Sequence, residues 1–307
     1  MTLQQLEYIV ALDTYRHFVT AAEKCFVTQP TITTQVKKLE DEIGIQIFNR
    51  SKTPLVPTTL GKGILTKARN IIQEVKQLKE MVNTERECLI GEFKIGVIPT
   101  ISPYIIPKFT GGFSESYQDT ILHIEEMQTE MIIDSLDKGE IDVGILVTPL
   151  DESFIREIPL YNEPFVFYGQ ENNSLKEKLL LAPEDVENLE GLWLLNSGHC
   201  FRNQVLNICN PLESEKTIHF QSGSIETLKK MVDNYGGFTL IPEMAITKND
   251  LEHVVHFDMP KPIREVSLVV HKSFAKEGLI EALRKVILKV IPPNFEKNER
   301  FIKVKWR

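Results

Sequence analysis

The sequence predicts an α/β protein that begins with a winged helix-turn-helix, continues through a long helix and ends in a two-lobed domain. Three observations predict this organisation. Apolar residues recur at helical spacing over residues 1–50, one amphipathic helix runs from about residue 60, and short strands alternate with helices from Phe93 onward. The corresponding domain boundaries are expected at residues 1–60, 61–90 and 91–307.

The composition is ordinary for a globular protein, but its charge is unevenly distributed. Of 307 residues, 42% are hydrophobic and 25% are charged, and no apolar run is long enough for a membrane span. Residues 1–90 carry 12 Lys or Arg against 10 Asp or Glu, whereas the remainder carries 23 against 33. The acidic total therefore does not exclude nucleic acid binding by the first part. The N-terminus lacks signal-peptide features, so a cytoplasmic location with reduced thiols is expected.

Residues 20–43 fit two helices joined by a tight turn through Phe26 and Val27. Thr28 is a natural N-cap for the second helix, and Pro30 is tolerated in its first turn. One face of this helix is apolar, formed by Ile32, Val36, Leu39 and Ile43. The opposite face carries small polar and basic side chains, which suit entry into the DNA major groove. The same periodicity also fits an ordinary helical hairpin.

The candidate DNA contacts lie on the second helix and in the loop that follows it. Those on the helix are Thr28, Gln29, Pro30, Thr31, Thr33, Thr34, Gln35 and Lys37. Arg50 and Lys52 precede Pro54 and Pro57 in an extended segment that we interpret as a wing with phosphate-binding side chains. The alternative for this segment is a surface loop with scattered charge.

A long amphipathic helix is expected after the wing. Its apolar residues recur at helical spacing from Leu60 to Val82, and Gly91 is expected to close it. A helix of this kind usually buries its stripe against another helix, often in a second subunit. The sequence therefore predicts a homo-oligomer, either a dimer or a tetramer.

The rest of the chain alternates strands and helices, which predicts a mostly parallel sheet. The expected strands lie at residues 93–98, 123–127, 141–146, 165–168, 192–195, 239–241 and 267–270. Helices are expected from about Ser102, at residues 129–138 and at residues 279–291. Lobe I is expected at about 91–162 and 267–307, and lobe II at about 163–266. The basic tail after Pro293 is expected to be loosely ordered.

Two cysteines nine residues apart stand in the segment GHCFRNQVLNIC, with His199 and Arg202 flanking Cys200 as possible cationic neighbours. If the segment is helical, the Cα atoms of Cys200 and Cys209 lie about 13 Å apart, whereas a disulfide needs them within about 7 Å. The two thiols can then join only if the segment rearranges. This behaviour is typical of a redox switch. Cys25 and Cys88 are interpreted as packing residues.

The first 61 residues resemble the LysR family of transcriptional regulators, through AAEKCFVTQPTITTQVKKLEDEIGIQIFNR and the following Thr59-Leu60-Gly61. The segment GHCFRNQVLNIC is similar to the sensor of the peroxide-responsive OxyR branch of that family. Membership implies a regulatory domain of the periplasmic-binding-protein type and a reversible Cys200–Cys209 disulfide. It further implies that Cys200 reacts with hydrogen peroxide and that Cys209 resolves the product.

The resemblance also implies supporting residues around Cys200, namely Thr100, Thr129, His199 and Arg264. Arg264 or a protonated His199 would favour the thiolate, and the two threonine hydroxyls would stabilise the departing oxygen. Without the resemblance, both threonines would be read as helix N-caps. Asn203 departs from the pattern, because an acidic residue is common there.

The sequence thus predicts a peroxide-sensing regulator that is not an enzyme and that needs no cofactor or metal. Its expected partners are promoter DNA, hydrogen peroxide, a second copy of the chain, RNA polymerase and a thiol reductant such as glutaredoxin or thioredoxin. Two alternatives remain open: a LysR regulator that responds to a small organic anion bound between the lobes, and a thiol peroxidase.

Overall fold

A computed structural model describes residues 1–52, 54–83, 89–170, 175, 178–187, 189–210, 222–296 and 301–307. The chain forms two compact units, Met1–Glu87 and Cys88–Arg307. Cys88, which the sequence assigned to packing, lies outside the described residues. Within the described residues, no helix is both long and apolar enough to cross a membrane.

The first unit contains the predicted helices. They are α1 (Leu3–Tyr15), α2 (Phe18–Lys24) and α3 (Gln29–Ile43). The Thr28 hydroxyl accepts a hydrogen bond from the Thr31 amide, as expected of the N-cap of α3, and Gly44 ends the helix in the left-handed conformation. Phe26, in the turn before α3, also has a positive φ of 56° and is 96% exposed.

The wing and the long helix follow in the same unit. The wing is a two-stranded antiparallel hairpin of β1 (Phe48–Asn49) and β2 (Val56–Pro57). Helix α4 (Thr59–Asn83) follows it directly. The expected closure at Gly91 is wrong, because Gly91 is the first residue of the next strand and has a φ of 130°.

The described residues of the second unit form eight strands and five helices, and six of the strands lie where the sequence predicted them, whereas β8 and β10 were not predicted. Its strands are β3 (Gly91–Val97), β4 (Thr120–Glu126), β5 (Val143–Thr148), β6 (Ile155–Gly169), β7 (Phe238–Pro242), β8 (Val254–His256), β9 (Lys261–His271) and β10 (Phe301–Lys303). Its helices are α5 (Ser102–Ser116), α6 (Thr129–Asp137), α7 (Cys200–Cys209), α8 (Ile225–Tyr235) and α9 (Glu277–Leu288).

The sheet is mixed, so the expectation of a mostly parallel sheet is wrong. Strands β4, β3 and β5 run parallel, but β9 is antiparallel to both β5 and β6, and β6 is antiparallel to β7. The antiparallel pairs arise because the long strands β6 and β9 lie side by side and run in opposite directions between the two lobes. The expected strand at residues 192–195 is also wrong, because only a single bridge joins Leu192 to Phe238.

Two separate hydrophobic cores lie in this unit, and we call them the lobe I core and the lobe II core. The lobe I core packs residues of β3, β5, α5 and α9 together, including Phe93, Ile145, Phe109 and Leu283. The lobe II core packs β6, β7, α7 and α8, including Phe167, Leu240, Val205 and Leu228. The long strands β6 and β9 connect the two lobes.

The C-terminal tail is ordered at residues 301–307, contrary to the sequence prediction. Strand β10 pairs in parallel with β9, with Phe301 beside Lys261 and Lys303 beside Ile263. Trp306 is buried within the lobe I core. The prediction failed because the pairing joins residues about forty positions apart, which local composition does not reveal.

Candidate functional site

Helix α7 begins at Cys200 and ends at Cys209. The segment between the cysteines is therefore helical, which is the condition on which the predicted separation of their Cα atoms depended. Nine helical steps separate the two Cα atoms by about 13 Å. Cys200 belongs to the lobe I core, whereas Cys209 belongs to the lobe II core. Both are free thiols. Joining their sulfurs therefore requires at least one of them to leave its core.

Burial dominates the ionisation of Cys200. The thiol is 5% exposed, and desolvation raises its pKa above the ordinary value of 9.0. Three influences oppose this rise: the neighbouring Thr129 hydroxyl, the positive charge of Arg264 and the backbone amides of Cys200 and Phe201 at the start of α7. They do not outweigh burial. Burial therefore favours the protonated thiol, while Arg264 favours the thiolate.

Arg264 is the largest fully buried side chain of the structure, and its charge is held by specific partners. Its Nε donates to Glu163 Oε2 at 2.8 Å, and its Nη1 donates to the Thr100 hydroxyl at 2.9 Å. The Thr100 carbonyl accepts from Nη2 at 2.9 Å. The guanidinium also lies 5.4 Å from the Phe201 ring centroid, beside Cys200 in the chain. These contacts fix a positive charge next to the sulfur.

Thr100 and Thr129 are not helix N-caps, which removes the alternative interpretation of both. Thr100 precedes α5, whose N-cap is Ile101, and the N-cap of α6 is Gln128. Thr129 is the first residue of α6 and is 2% exposed. Its hydroxyl has no hydrogen bond of acceptable geometry within the described residues, although it lies close enough to the Cys200 sulfur to lower the thiol pKa.

His199 and Arg202 do not act as the cations that the sequence placed beside Cys200. His199 is the N-cap residue of α7, and burial lowers its pKa below the ordinary 6.5, so the imidazole is neutral at pH 7. Arg202 Nη1 donates instead to the Leu195 carbonyl at 2.9 Å. Of the predicted cations, Arg264 alone acts on the Cys200 sulfur among the described residues.

A cleft of about 530 Å³ lies between the lobes and reaches His199, the neighbour of Cys200. Pro99 and Gln128 line it from lobe I, and Gly223 lines it from lobe II. Gly198 also borders this region with a φ of 108°, and a Cβ there would come within 2.9 Å of the Gln128 amide oxygen. The glycine of the Gly-His-Cys motif is therefore required by its backbone conformation, whereas the Gln128 side chain could move aside for a Cβ.

Cys209 lies in a wholly apolar setting. It is fully buried in the lobe II core, and desolvation raises its pKa to about 12. As folded, it is a thiol at neutral pH and is a poor nucleophile. Cys209 must therefore become exposed before it can attack another sulfur.

Helix α3 exposes most of the residues predicted to contact DNA. Gln29, Pro30, Thr31, Thr34 and Lys37 are exposed, as is the N-cap Thr28. Thr33 is half-buried, and its hydroxyl donates to the Gln29 carbonyl at 2.8 Å. Gln35 accepts from the Gln5 amide at 3.1 Å. The exposed face is thus continuous, with Thr33 and Gln35 engaged inside the domain.

The two predicted phosphate contacts of the wing differ in their surroundings. Arg50 Nη2 donates to Glu40 Oε2 at 2.6 Å, and Glu40 is buried beneath the wing, where it also accepts from the Ile47 amide. Lys52 is exposed, and no ion pair is described for it. Arg50 is therefore tied to the domain, whereas Lys52 is the better placed to reach a phosphate.

The apolar stripe of α4 divides into two parts. Leu65 and Ala68 are buried in the core of the first unit. Leu60, Ile71 and Leu78 are exposed, at 65%, 42% and 65% of their surface. Met81 and Val82, also part of the predicted stripe, have side chains outside the described set. The exposed part is available to a second helix.

Several residues at this site were not predicted. Glu163 holds Arg264, and the amide side chains of Asn203, Gln204 and Asn207 bind the C-terminal tail. A lone carboxylate within the apolar run YNEPFVFYG was the available signal for Glu163. The tail contacts use backbone carbonyls, for which the sequence offers no signal.

The chain matches two family profiles. Residues 3–62 match "Bacterial regulatory helix-turn-helix protein, lysR family", and residues 88–291 match "LysR substrate binding domain". The first range lies within the first unit of the structure and the second range within the second unit.

Individual relatives match over nearly the full length. A "Hydrogen peroxide-inducible genes activator" of Haemophilus influenzae is 35% identical over 274 residues, covering 88% of this chain and 90% of that protein. The "DNA-binding transcriptional dual regulator OxyR" of Escherichia coli K12 is 32% identical over 300 residues, covering 97% and 98%. The structure of a full-length OxyR variant from Pseudomonas aeruginosa gives a TM-score of 0.79 at 34% identity, covering 94% of this chain and 98% of that one. The chain therefore belongs to the LysR family and, within it, to the OxyR branch.

Proposed function

We propose that this protein is a cytoplasmic, DNA-binding transcriptional regulator that senses hydrogen peroxide through a reversible Cys200–Cys209 disulfide. The observation that carries the proposal is the position of the two thiols at opposite ends of one helix, each in a different core. The names of the relatives agree with a peroxide-responsive activator. A switch needs two states that differ in packing, and this arrangement supplies the reduced one.

In the first step, the thiolate fraction of Cys200 attacks one oxygen of hydrogen peroxide. The O–O bond breaks, an S–O bond forms, and the second oxygen leaves as hydroxide, which takes up a proton to become water. Arg264 stabilises the thiolate, and the Thr129 hydroxyl, which lies beside the sulfur, would donate to the departing oxygen. Cys200 becomes a sulfenic acid.

In the second step, Cys209 attacks the Cys200 sulfur. The S–S bond forms, the S–O bond breaks, and the oxygen leaves as water with the thiol proton. The reaction consumes one peroxide and two thiols and yields one disulfide and two waters. Because the Cα atoms begin about 13 Å apart, α7 must lose part of its helical structure before this step. A thiol reductant such as glutaredoxin or thioredoxin would reverse it.

The output of the switch is DNA binding by a homo-oligomer. The exposed face of α3 would enter the major groove, and the exposed residues of α4 would pair the subunits, so that a two-fold dimer or a tetramer addresses a two-fold site. The refolding of α7 would change how regulatory domains associate and hence the spacing of the DNA-binding units. RNA polymerase would respond to the altered complex.

Footprinting on one promoter tests the proposal. Reduced and peroxide-treated protein should protect different lengths of DNA, and Cys200→Ser protein should give the reduced footprint under both conditions. Cys25→Ser serves as the control, because Cys25 is a half-buried thiol of the first unit and is not one of the two proposed redox cysteines. Identical footprints before and after peroxide would refute the switch.

The cleft beside His199 favours a second candidate, a regulator that binds a small organic anion between the lobes. In that case the transcriptional response would survive Cys200→Ser unchanged. A thiol peroxidase would instead turn over many equivalents of peroxide with a reductant present, whereas a sensor consumes one equivalent per reduction.

A further inference from the structure

The C-terminal tail crosses helix α7 over residues that lie between the two cysteines in sequence. Asn203, Gln204 and Asn207 share one face of the helix, since residues three and four apart are neighbours on a helix. Their side-chain amides donate to three consecutive backbone carbonyls: Gln204 to Val304 at 2.8 Å, Asn207 to Lys305 at 2.8 Å and Asn203 to Trp306 at 3.0 Å. The tail is thus bonded along the length of α7.

The same tail is fastened at both of its ends. On the side of β10, the Val304 amide donates to the Ile263 carbonyl at 2.9 Å, which continues the pairing with β9. At the other end, the Trp306 indole donates to the Pro149 carbonyl at 2.8 Å, and its ring is buried in the lobe I core. Arg307 then bonds Glu130 on α6 and Glu152 at 2.9 and 3.0 Å. The segment is a strap from β9 to lobe I with α7 beneath it.

The position of the strap matters for the second chemical step. All three amide residues lie between Cys200 and Cys209, so unwinding α7 far enough to bring the sulfurs together displaces at least one of them from its carbonyl. Gln204 is fully buried. While the strap is in place, water cannot reach its amide to replace the hydrogen bond to the Val304 carbonyl. The Cys200 sulfur, by contrast, is influenced by Thr129, Arg264 and the first amides of α7, and within the described residues neither Thr129 nor the Arg264 side chain has a hydrogen bond to the tail.

We propose that the segment Phe301–Arg307 is a strap that holds α7 in its reduced conformation, with Asn203, Gln204 and Asn207 as positioning residues that slow the joining of the two sulfurs. The strap opposes disulfide formation and leaves the first reaction of Cys200 with peroxide unaffected. This inference rests on the proposed function. It also gives Asn203 a defined role, because an amide donates to a carbonyl and an ionised carboxylate does not.

The double variant Asn203→Ala/Asn207→Ala tests the strap in the full-length protein. A matched control is Asn234→Ala, which removes an exposed amide that donates to a backbone carbonyl at 2.7 Å on α8, away from the tail. After one equivalent of peroxide, disulfide formation should be about tenfold faster in the double variant, as expected for the loss of two net-favourable hydrogen bonds. Sulfenic acid formation, trapped with dimedone in a Cys209→Ser background, should change by less than about twofold.

The possible outcomes distinguish failure of the strap proposal from failure of the proposed redox function. If the unmodified chain forms the disulfide and the double variant forms it at the same rate, the strap is refuted and the proposed function stands. If both chemical steps change together, the amides act on the Cys200 pocket and the strap is again refuted. If the unmodified chain forms no disulfide, the proposed function fails.

Hydrogen exchange of the reduced protein tests the strap without any redox chemistry. The amides of α7 should exchange about tenfold faster in the double variant than in Asn234→Ala, since two of the contacts that hold the helix are lost. Equal exchange rates of the α7 amides in the two variants would refute the strap proposal. Asn207→Ala alone, on the exposed side of α7, gives a milder variant with an expected change of about threefold.

Discussion

The buried Thr129 hydroxyl at this site does not contribute to the stability of the fold in any evident way. Its oxygen is buried without a hydrogen bond of acceptable geometry in the described part of the chain, and such groups lower stability. The hydroxyl lies beside a thiol that burial keeps protonated. A donor of this kind is useful when a charged oxygen arrives next to the sulfur.

Replacing Thr129 with Val should change the reactivity of Cys200 much more than the stability of the protein. Val keeps the shape and removes a hydroxyl that makes no well-formed hydrogen bond within the described residues, so the free energy of unfolding of the reduced protein should change by less than about 1 kcal/mol. The rate of sulfenic acid formation should fall about 100-fold, the usual effect of losing one donor to a developing oxyanion. Denaturant unfolding and dimedone trapping measure the two quantities. An unchanged trapping rate would exclude Thr129 from the chemistry.

The raised pKa of Cys200 predicts a pH dependence. Burial raises this pKa above 9.0, so the thiolate is the minor species at neutral pH, and its fraction rises about tenfold per pH unit. The rate of Cys200 oxidation should therefore rise steeply from pH 6 to pH 8 without a plateau. Stopped-flow kinetics in a Cys209→Ser background measure it. A plateau near pH 6 would mean that the thiol ionises more readily than its burial implies.

The helices of the first unit show what sequence patterns can predict. The N-cap Thr28, Pro30 in the first turn and the apolar face of α3 are local signals, and the structure has each of them in the predicted place. Local patterns did not reveal that Arg50 pairs with Glu40 across the wing, because a charge pair ten residues apart depends on the fold. The sequence therefore treated Arg50 and Lys52 alike, and the structure distinguishes them.

Salt dependence of DNA binding tests that distinction. Lys37→Ala and Lys52→Ala should each weaken binding and lower the slope of log K against log salt by about one, because each removes one phosphate contact. Arg50→Ala should leave the slope within about 0.3 of its original value and should mainly destabilise the domain, since it leaves the buried Glu40 carboxylate without its ion pair. Fluorescence anisotropy titrations over a range of salt concentrations measure the slopes. Equal slopes for all three variants would contradict the assignment.

The second unit shows where sequence patterns stop. Strands β3, β5, β7 and β9 were predicted from apolar runs, but the mostly parallel arrangement predicted for them was wrong, because periodicity carries no information on pairing. The pair of Arg264 with Glu163 joins residues 101 positions apart. The tail was misjudged for the same reason, since its partners on β9 and α7 are distant in sequence.

At the scale of the whole molecule, the proposed homo-oligomer associates through the exposed part of the apolar stripe of α4. Ile71→Glu and Leu78→Glu each place a charge on the exposed part of the apolar stripe and should convert the oligomer to monomer, with a loss of DNA affinity of at least tenfold. Glu74→Lys, an exposed charge reversal on the same helix, is the control for a change of charge alone. Sedimentation measures the mass. If both variants keep the parent mass, the subunits pair elsewhere.

At the same scale, α7 joins the two lobes by placing one cysteine in each core. In the proposed switch, joining the two sulfurs takes at least one cysteine out of its core and so changes the packing of the regulatory domain. We propose that this change in packing is how a reaction at one sulfur alters DNA binding.

Peptide mass mapping of the thiols tests the central claim most directly. Reduced protein is treated with one equivalent of hydrogen peroxide, alkylated under denaturing conditions and digested. We expect a single new species in which the peptides that contain Cys200 and Cys209 are linked, with the Cys25 thiol free. A treated protein in which those two peptides remain unlinked would contradict the account.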